Sequence, residues 1–424
     1  MNTRNNSIFL GYCQDAVRRL PTIIAERLTA SGGDVYMEHD HFLSDDPPPE
    51  HIRQEIERRG IYLLLLTPAS ARYGFKYVDP RLKLEIKHAE SSGNEIIVMC
   101  GYDFPQSRLE ERKSRYDLPE RAQVITVDHH ELDLTLLLPI IGHAYSNLDV
   151  LPDLSDHQTR QLEAEYLIDQ ALTENYDAQM DNRGSESMRY LNQAVDTDPD
   201  YAYAYFSRAE QWYFEHRHPN VDRVQCLKRA LDDYNRAITL DATEARFYVG
   251  RSKLLQRLKS YDDALADYNQ AIALAPTTAR YYSSRSDVHR YMGQLDAEIS
   301  DCTMAIQLRP AEPRYYYSRS GSYYRVGETQ KAIDDISRAI DLMPRYVPEN
   351  WYVVRSMLYL DLNMDEEAEA DWETVIATAK REDGVYSFAA SMHKGRGHYQ
   401  EARRLAKIAI SINPNNRGAR WILR

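Results

Sequence analysis

Asp267-Tyr-Asn-Gln-Ala271-Ile272-Ala-Leu-Ala-Pro276-Thr-Thr-Ala-Arg280-Tyr-Tyr282-Ser-Ser-Arg285 is the stretch that decides the fold. The same types return 34 residues later as Asp301, Ala305, Ile306, Pro310, Arg314, Tyr316 and Arg319. They also stand 34 residues earlier as Asp233, Ala237, Ile238, Arg246, Tyr248 and Arg251. Asp335, Ala339, Ile340 and Pro344 continue the series. A period of this length, with apolar residues at helical spacing and a closing Pro, predicts helix hairpins. One hairpin cannot bury its apolar face alone, so neighbours must stack.

These positions resemble tetratricopeptide (TPR) repeats, which implies an α-solenoid over residues 158–424 of about six to seven repeats and a short capping helix. A degenerate first unit ends at Pro199 and a second spans 202–244. Ala194 and Ala237 are 43 residues apart rather than 34, which predicts an insertion near His216–Val224. Three regular units follow. The sixth begins two residues late with Trp351, Tyr352 and Arg355, and the seventh ends at Pro414. Tyr248, Tyr282 and Tyr316 are expected to pack one helix on its hairpin partner. Arg251, Arg285 and Arg319, with Asp233, Asp267, Asp301 and Asp335, are expected to form an ion-pair ladder.

The first part of the chain reads differently. Ile8–Leu10, Val35–Met37, Ile61–Thr67, Glu95–Cys100 and Gln123–Val127 are short apolar runs, separated by helical patterns at Pro21–Leu28, Pro49–Arg59 and Arg81–Ser91. A last helix is expected at Leu132–Ala144. Such alternation predicts a five-stranded, doubly wound parallel sheet. The unbroken Ile61-Tyr-Leu-Leu-Leu-Leu66 has the pattern of a strand covered on both faces. The α/β domain is assigned to residues 1–145, and 146–157, rich in Asn, Asp, Pro and Ser, is read as a linker.

Phe9-Leu-Gly-Tyr-Cys-Gln-Asp15, Gly33-Asp-Val-Tyr-Met-Glu38, Leu66-Thr-Pro-Ala-Ser70, Leu84-Glu85-Ile86-Lys-His-Ala89 and Ile96-Ile-Val98 follow one another in the order and spacing of a known set of motifs. Together they resemble a Toll/interleukin-1 receptor (TIR) domain, with a flavodoxin-like sheet. The loop His39–Pro49 sits where that family has its BB loop. Gly11 stands where the family usually has Ser, and Arg81 where it often has Trp.

The resemblance implies NAD+ glycohydrolase activity, with Glu85 in the place of the catalytic carboxylate. Taken alone, Glu85 borders the stripe formed by Leu82, Ile86 and Ala89, where a surface carboxylate paired with His88 or Arg81 is the plainer reading. Breaking the nicotinamide–ribose bond builds positive charge on the ribose, which a carboxylate stabilises. The departing ring already carries its positive charge, so no strong general acid is required. The product is ADP-ribose or a cyclic form; the residues do not distinguish them.

Other expected substrate contacts are Gly11 and Tyr12 at the end of the first strand, Glu38 at the end of the second, Phe42 in the BB-like loop and Arg81. Phe42 is read either as a stacking lid or as a plug holding the loop to the domain, and a solvated Arg81 at a helix start is the simpler alternative. Arg246, Arg280 and Arg314 hold the second position of each repeat, which points into the concave groove of such arrays. Arg290, Arg325 and Tyr324 lie on the same helices. A protein, peptide or anionic ligand is the expected occupant, with solvated rims the alternative.

NAD+ enters this reading as substrate, with no cofactor. His39-Asp-His41 with Asp45 and Asp46 lacks a recognisable third ligand spacing, so no metal is expected. The sequence has no GxGxxG, no phosphate-binding GxxxxGK(S/T) and no HExxH. Its 424 residues carry a net charge of -13, which argues against general nucleic-acid binding. No apolar run approaches the ~18 residues a membrane span needs. The N-terminus lacks an apolar signal core and the four cysteines are scattered, so the expected location is the cytoplasm. The resemblance further implies activation by self-association of TIR domains. A non-catalytic adaptor, or a cyclase making a cyclic ADP-ribose signal, stands as the alternative.

Overall fold

The computed structural model describes residues 8–12, 19–30, 34–37, 50–59, 61–66, 80–92, 94–101, 122–127, 155–180, 186–217, 221–343, 347–378, 383–395 and 397–423. The chain divides into two compact units, Met1–Leu258 and Lys259–Arg424.

The first unit begins with a parallel sheet. Its strands are β1 (Ile8–Tyr12), β2 (Val35–Met37), β3 (Ile61–Leu66), β4 (Glu95–Gly101) and β5 (Gln123–Val127), in the order β2-β1-β3-β4-β5. Helices α1 (Arg19–Ala30), α2 (Glu50–Arg58) and α3 (Pro80–Ser91) lie between them in the chain. β3 is central, and Ile61 through Leu65 are all buried, as expected of a strand covered on both faces. α1 starts at Arg19 and takes Pro21 into its first turn, where a missing N–H leaves no bond unmade. Pro80 opens α3 for the same reason. Ile52 and Ile56 of α2 join Ile86 and Ala89 of α3 in one apolar layer with Tyr62, Leu64, Ile96 and Val98. The expected helix at Leu132–Ala144 and most of the 146–157 linker lie outside the described residues.

The rest is helical. The first unit holds α4 (Asp156–Met180), α5 (Ser187–Thr197), α6 (Ala202–Glu215), α7 (Arg223–Leu240) and α8 (Ala245–Arg257). The second holds α9 (Tyr261–Leu274), α10 (Ala279–Met292), α11 (Leu295–Leu308), α12 (Pro313–Arg325), α13 (Thr329–Asp341), α14 (Glu349–Asp361), α15 (Asp365–Thr378), α16 (Asp383–Gly395), α17 (Tyr399–Ile412) and α18 (Arg417–Leu423). Paired in order among the described residues, α4 to α7 give two hairpins in the first unit and α10 to α17 give four in the second, with α8 and α9 on either side of the boundary in the chain and α18 following as the short last helix. The insertion in the second hairpin is shared between the 216–222 connection and an α7 of 18 residues, against 14 in α9.

Small residues let the helices approach. Ala230, Ala264, Ala332, Ala368 and Ala402 lie in the second helices of five hairpins and are fully or almost fully buried. Gly250 is tighter still: a Cβ there would lie 2.6 Å from Cε1 of the buried Tyr234. Five of the turns inside hairpins, from residue 259 onward, each hold one left-handed residue. Gly293, Gly327 and Gly397 supply it with φ of 72°, 86° and 84°, and Lys259 and Asn363 adopt it at 62° and 58°.

Candidate functional site

On one face of the sheet, three aromatic side chains share a register: Phe9 pairs with Tyr36 on one side and Tyr62 on the other. Their rings stack with centroids 5.5 Å apart in both pairs. The guanidinium of Arg59 caps the row, 5.0 Å from the centre of the Tyr36 ring, and is itself held by Asp34 at 3.2 Å and by Glu55. At the other end Tyr62 Oη donates to Glu85 Oε2 at 2.9 Å. A cation and a carboxylate thus close the two ends of a ring stack spanning three strands.

Glu85 lies deeper than its position beside the stripe predicts. It is 1% exposed, because α2 packs along α3 and covers that flank. His88, one expected partner, lies instead 3.1 Å from Glu57 of α2. Tyr62, not singled out in the sequence, is the partner the fold supplies. Phe9, Tyr36 and Tyr62 are each the second residue of a strand, which was the available signal. Gly11 and Tyr12 end β1, beside Leu64 and Leu65 of β3. Arg81 lies in the first turn of α3. Glu38 and Phe42 fall outside the described residues.

The repeats contain a recurring three-helix joint. In the second unit, Arg285 donates through Nε and Nη2 to the two oxygens of Asp301 at 2.8 and 2.6 Å. Arg319 does the same to Asp335 at 2.7 and 2.8 Å, and Arg355 to Asp371 at 2.8 and 2.6 Å. The remaining Nη1 reaches back to the preceding hairpin, to Asn269, Thr303 and Ser337 respectively. In the first unit Arg208 grips Asp233 and Asn192 in the same way. Hydrogen bonding to the aspartate is the largest influence on each arginine and raises its pKa above the ordinary value. Of the expected ladder, Arg285–Asp301 and Arg319–Asp335 form, each inside one hairpin, whereas Asp233 is held by Arg208 and Arg251 donates to Asn235 at 2.8 Å.

As expected, Tyr282 packs with Ala305 and Ile306 of its hairpin partner, and Tyr316 against the cluster of Ala332, Ile333 and Ile336. Tyr248, Tyr282 and Tyr316 send their hydroxyls to carbonyls six residues upstream, of Ala242, Pro276 and Pro310, at 3.3, 3.0 and 3.1 Å. They close the turn between hairpins, and the arginine three residues on lies over each ring.

Of the three groove arginines, Arg246 bonds to the Tyr203 hydroxyl at 2.5 Å and lies over its ring. Arg280 and Arg314 are exposed, and among the described residues neither makes an ion pair. Arg290 is closed by Asp287, and Arg325 by Glu298 at 2.9 Å. Glu298 is 2% exposed and stands 34 residues from Ala264 and Ala332, so it fills an alanine position. That exception to the period was legible in the sequence and was missed. Near the second hairpin, an open cavity of about 410 Å³ is lined by Tyr201, Tyr203 and Phe247 with Asp200, Asp241 and Glu244. Aromatic faces with carboxylates suit a basic side chain.

The model of the tetratricopeptide repeat family matches residues 245–278, the pair α8 and α9. The chain carries a tetratricopeptide repeat there. Solved structures similar to this tetratricopeptide chain include PilF of Pseudomonas aeruginosa, at 16% identity over 55% of this chain and 99% of that one, with a TM-score of 0.45. A tetratricopeptide repeat protein of Parabacteroides merdae is 18% identical over 62% of this chain and 97% of that one, with a TM-score of 0.43. YrrB, described as having an unusual peptide-binding site, is 15% identical over 55% and 96%, with a TM-score of 0.35. None of the curated proteins compared with the chain matches it. No described helix is long and apolar enough to cross a membrane.

Proposed function

We propose that the chain joins a TIR-like NAD+ glycohydrolase domain to a tetratricopeptide array that engages a protein or peptide partner. The observation that carries the enzymatic half is Glu85. A carboxylate in an apolar layer is costly to bury, and residues of this kind concentrate where chemistry needs them. Glu85 belongs to the helix that follows the carboxyl end of β3, the edge at which parallel sheets bind ligands. The strand order β2-β1-β3-β4-β5 supports a flavodoxin-like, TIR-like assignment.

In this reading Glu85 stabilises the ribosyl cation as the C–N bond breaks. The pyridinium keeps the bonding pair and departs as neutral nicotinamide. Water then attacks the ribose carbon and loses a proton, giving ADP-ribose; attack from the adenine half gives a cyclic product instead. Tyr62 holds the carboxylate in place. Association of α/β domains raises the activity, and the repeats supply the partner that brings copies together.

The test is nicotinamide release from NAD+ by the full chain, beside Glu85→Gln and Tyr62→Phe, each with a melting curve. Loss of release in a folded Glu85→Gln protein supports the enzyme. Unchanged release removes Glu85 from the reaction. The depth of Glu85 favours a second reading, a non-catalytic adaptor in which the Tyr62–Glu85 bond only orders the core. Absence of release at every concentration, with a lowered melting point in both variants, selects that one.

A further inference from the structure

Charge of both signs is exposed side by side in the last two hairpins. α15 buries Ala368, Asp371, Trp372 and Val375. Helical geometry puts Glu366 and Glu373 on the opposite side and Glu369 at the flank, where it borders a small pocket with Trp372 and His393; all three are exposed. Further along, α17 buries Ala402, Leu405, Ala406 and Ala409, and Arg403 and Lys407 face outward one turn apart. α18 buries Ala419 and Ile422 and presents Arg417, Arg420 and Trp421.

Between residues 394 and 424 the sequence has eight Lys and Arg against one acid, Glu401, in a chain whose net charge is -13. Glu401 is taken by Arg404, at 2.8 and 2.9 Å from its Nε. Arg403, Lys407, Arg417 and Arg420 make no ion pair among the described residues, and neither do Glu366, Glu369 and Glu373. The two faces belong to helices that share one apolar cluster, in which Trp372 and Val375 of α15 pack with Leu405 and Ala409 of α17 and Ile422 of α18. Trp421 is 62% exposed with the Lys394 ammonium 3.8 Å from its ring centre, a large apolar surface inside the basic face.

We propose that this two-signed face is an interface with a second copy of the chain, packed about a twofold axis so that α15 of each copy meets α17 and α18 of the other. A twofold interface uses one patch against itself, so every acidic contact is answered by a basic one. A chain of net charge -13 repels itself elsewhere, which leaves this region as the attractive exception. The three exposed carboxylates beside the bases disfavour a nucleic-acid backbone as occupant. Trp421 is the kind of residue that anchors the centre of an interface. The argument is independent of the NAD reading.

The experiment measures the mass of the full-length protein in solution by light scattering at low and high salt. Two double variants are compared, Arg403→Glu with Lys407→Glu, and Glu366→Lys with Glu373→Lys, each checked for helicity. The expected result is a wild-type dimer that dissociates as salt rises, and two variants that are monomers alone. Mixed together the variants form a dimer again, because each reversed face then meets its complement. A monomeric wild type overturns the proposal. So does a dimer that both variants retain, which would place self-association elsewhere. Retention of a single-stranded RNA oligonucleotide, lost in the Arg403→Glu, Lys407→Glu variant while the wild type stays monomeric, overturns it in favour of nucleic acid.

Discussion

Tyr62 and Glu85, 23 residues apart, meet across the layer between β3 and α3 through a hydrogen bond of 2.9 Å. Removing the hydroxyl strips a donor from a buried carboxylate, which costs about 1–3 kcal/mol. Tyr62→Phe is therefore expected to lower the free energy of unfolding by that amount and to slow nicotinamide release. Glu85→Gln keeps an acceptor for the hydroxyl, so it is expected to stay folded and to abolish release. Urea titrations alongside the nicotinamide assay separate the two effects.

The Arg319 guanidinium is the only charge set bidentate on Asp335 among the described residues, and the aspartate side chain is 9% exposed. Arg319→Ala leaves that carboxylate stranded, and a loss of about 3 kcal/mol is expected. Arg319→Lys recovers little, since an ammonium cannot span two carboxylate oxygens and Thr303 together. Hydrogen exchange in α11, α12 and α13 checks it: protection falls in all three helices in both variants.

Lys259 occupies a left-handed turn position that Gly293 and Gly327 fill in the next two hairpins. A side chain with φ near 62° costs about 1 kcal/mol that glycine does not. Lys259→Gly is expected to raise the melting temperature, even though glycine makes the unfolded chain more flexible. A melting point that falls would mean the lysine side chain contributes more than the strain costs.

His393 is buried between α15 and α17, and burial lowers its pKa from 6.5, with Glu369 and Glu401 opposing the shift and His398 and Arg404 adding to it. A histidine with a lowered folded pKa binds its proton more readily in the unfolded chain. Its contribution is therefore complete above about pH 6.5 and is lost as pH falls through that value toward the folded pKa. Hydrogen exchange of α16 and α17 is expected to accelerate between about pH 7 and pH 5, and His393→Gln to flatten that profile.

The repeat half was legible because its physics is local. The Asp of each pair lies 16 residues after its Arg in three hairpins and 25 in the second, so the phase of the period locates the insertion as well. Glu298 is not announced by the period, because a recurring pattern marks the positions that repeat and not the residue that departs from it. In the α/β part the run Ile61–Leu66 identified the central strand, yet the Tyr62–Glu85 contact depends on how α2 and α3 share one side of the sheet. Helical spacing around Glu85 describes its own helix and says nothing of a hydroxyl arriving from a strand. The same limit applied to Arg246, whose partner Tyr203 stands 43 residues away.

The third bond of each joint arginine goes to Asn269, Thr303 or Ser337, three different side chains with one acceptor oxygen in the same place. Arg355 reaches Ser337 even across the two-residue delay before α14. For this bond a hairpin therefore asks of its predecessor a short polar group, not a particular side chain. Units of this kind can be gained, lost or exchanged in whole copies by recombination without remaking the seam. The length of the array is then free to follow the size of whatever it must reach, while the α/β domain stays as it is.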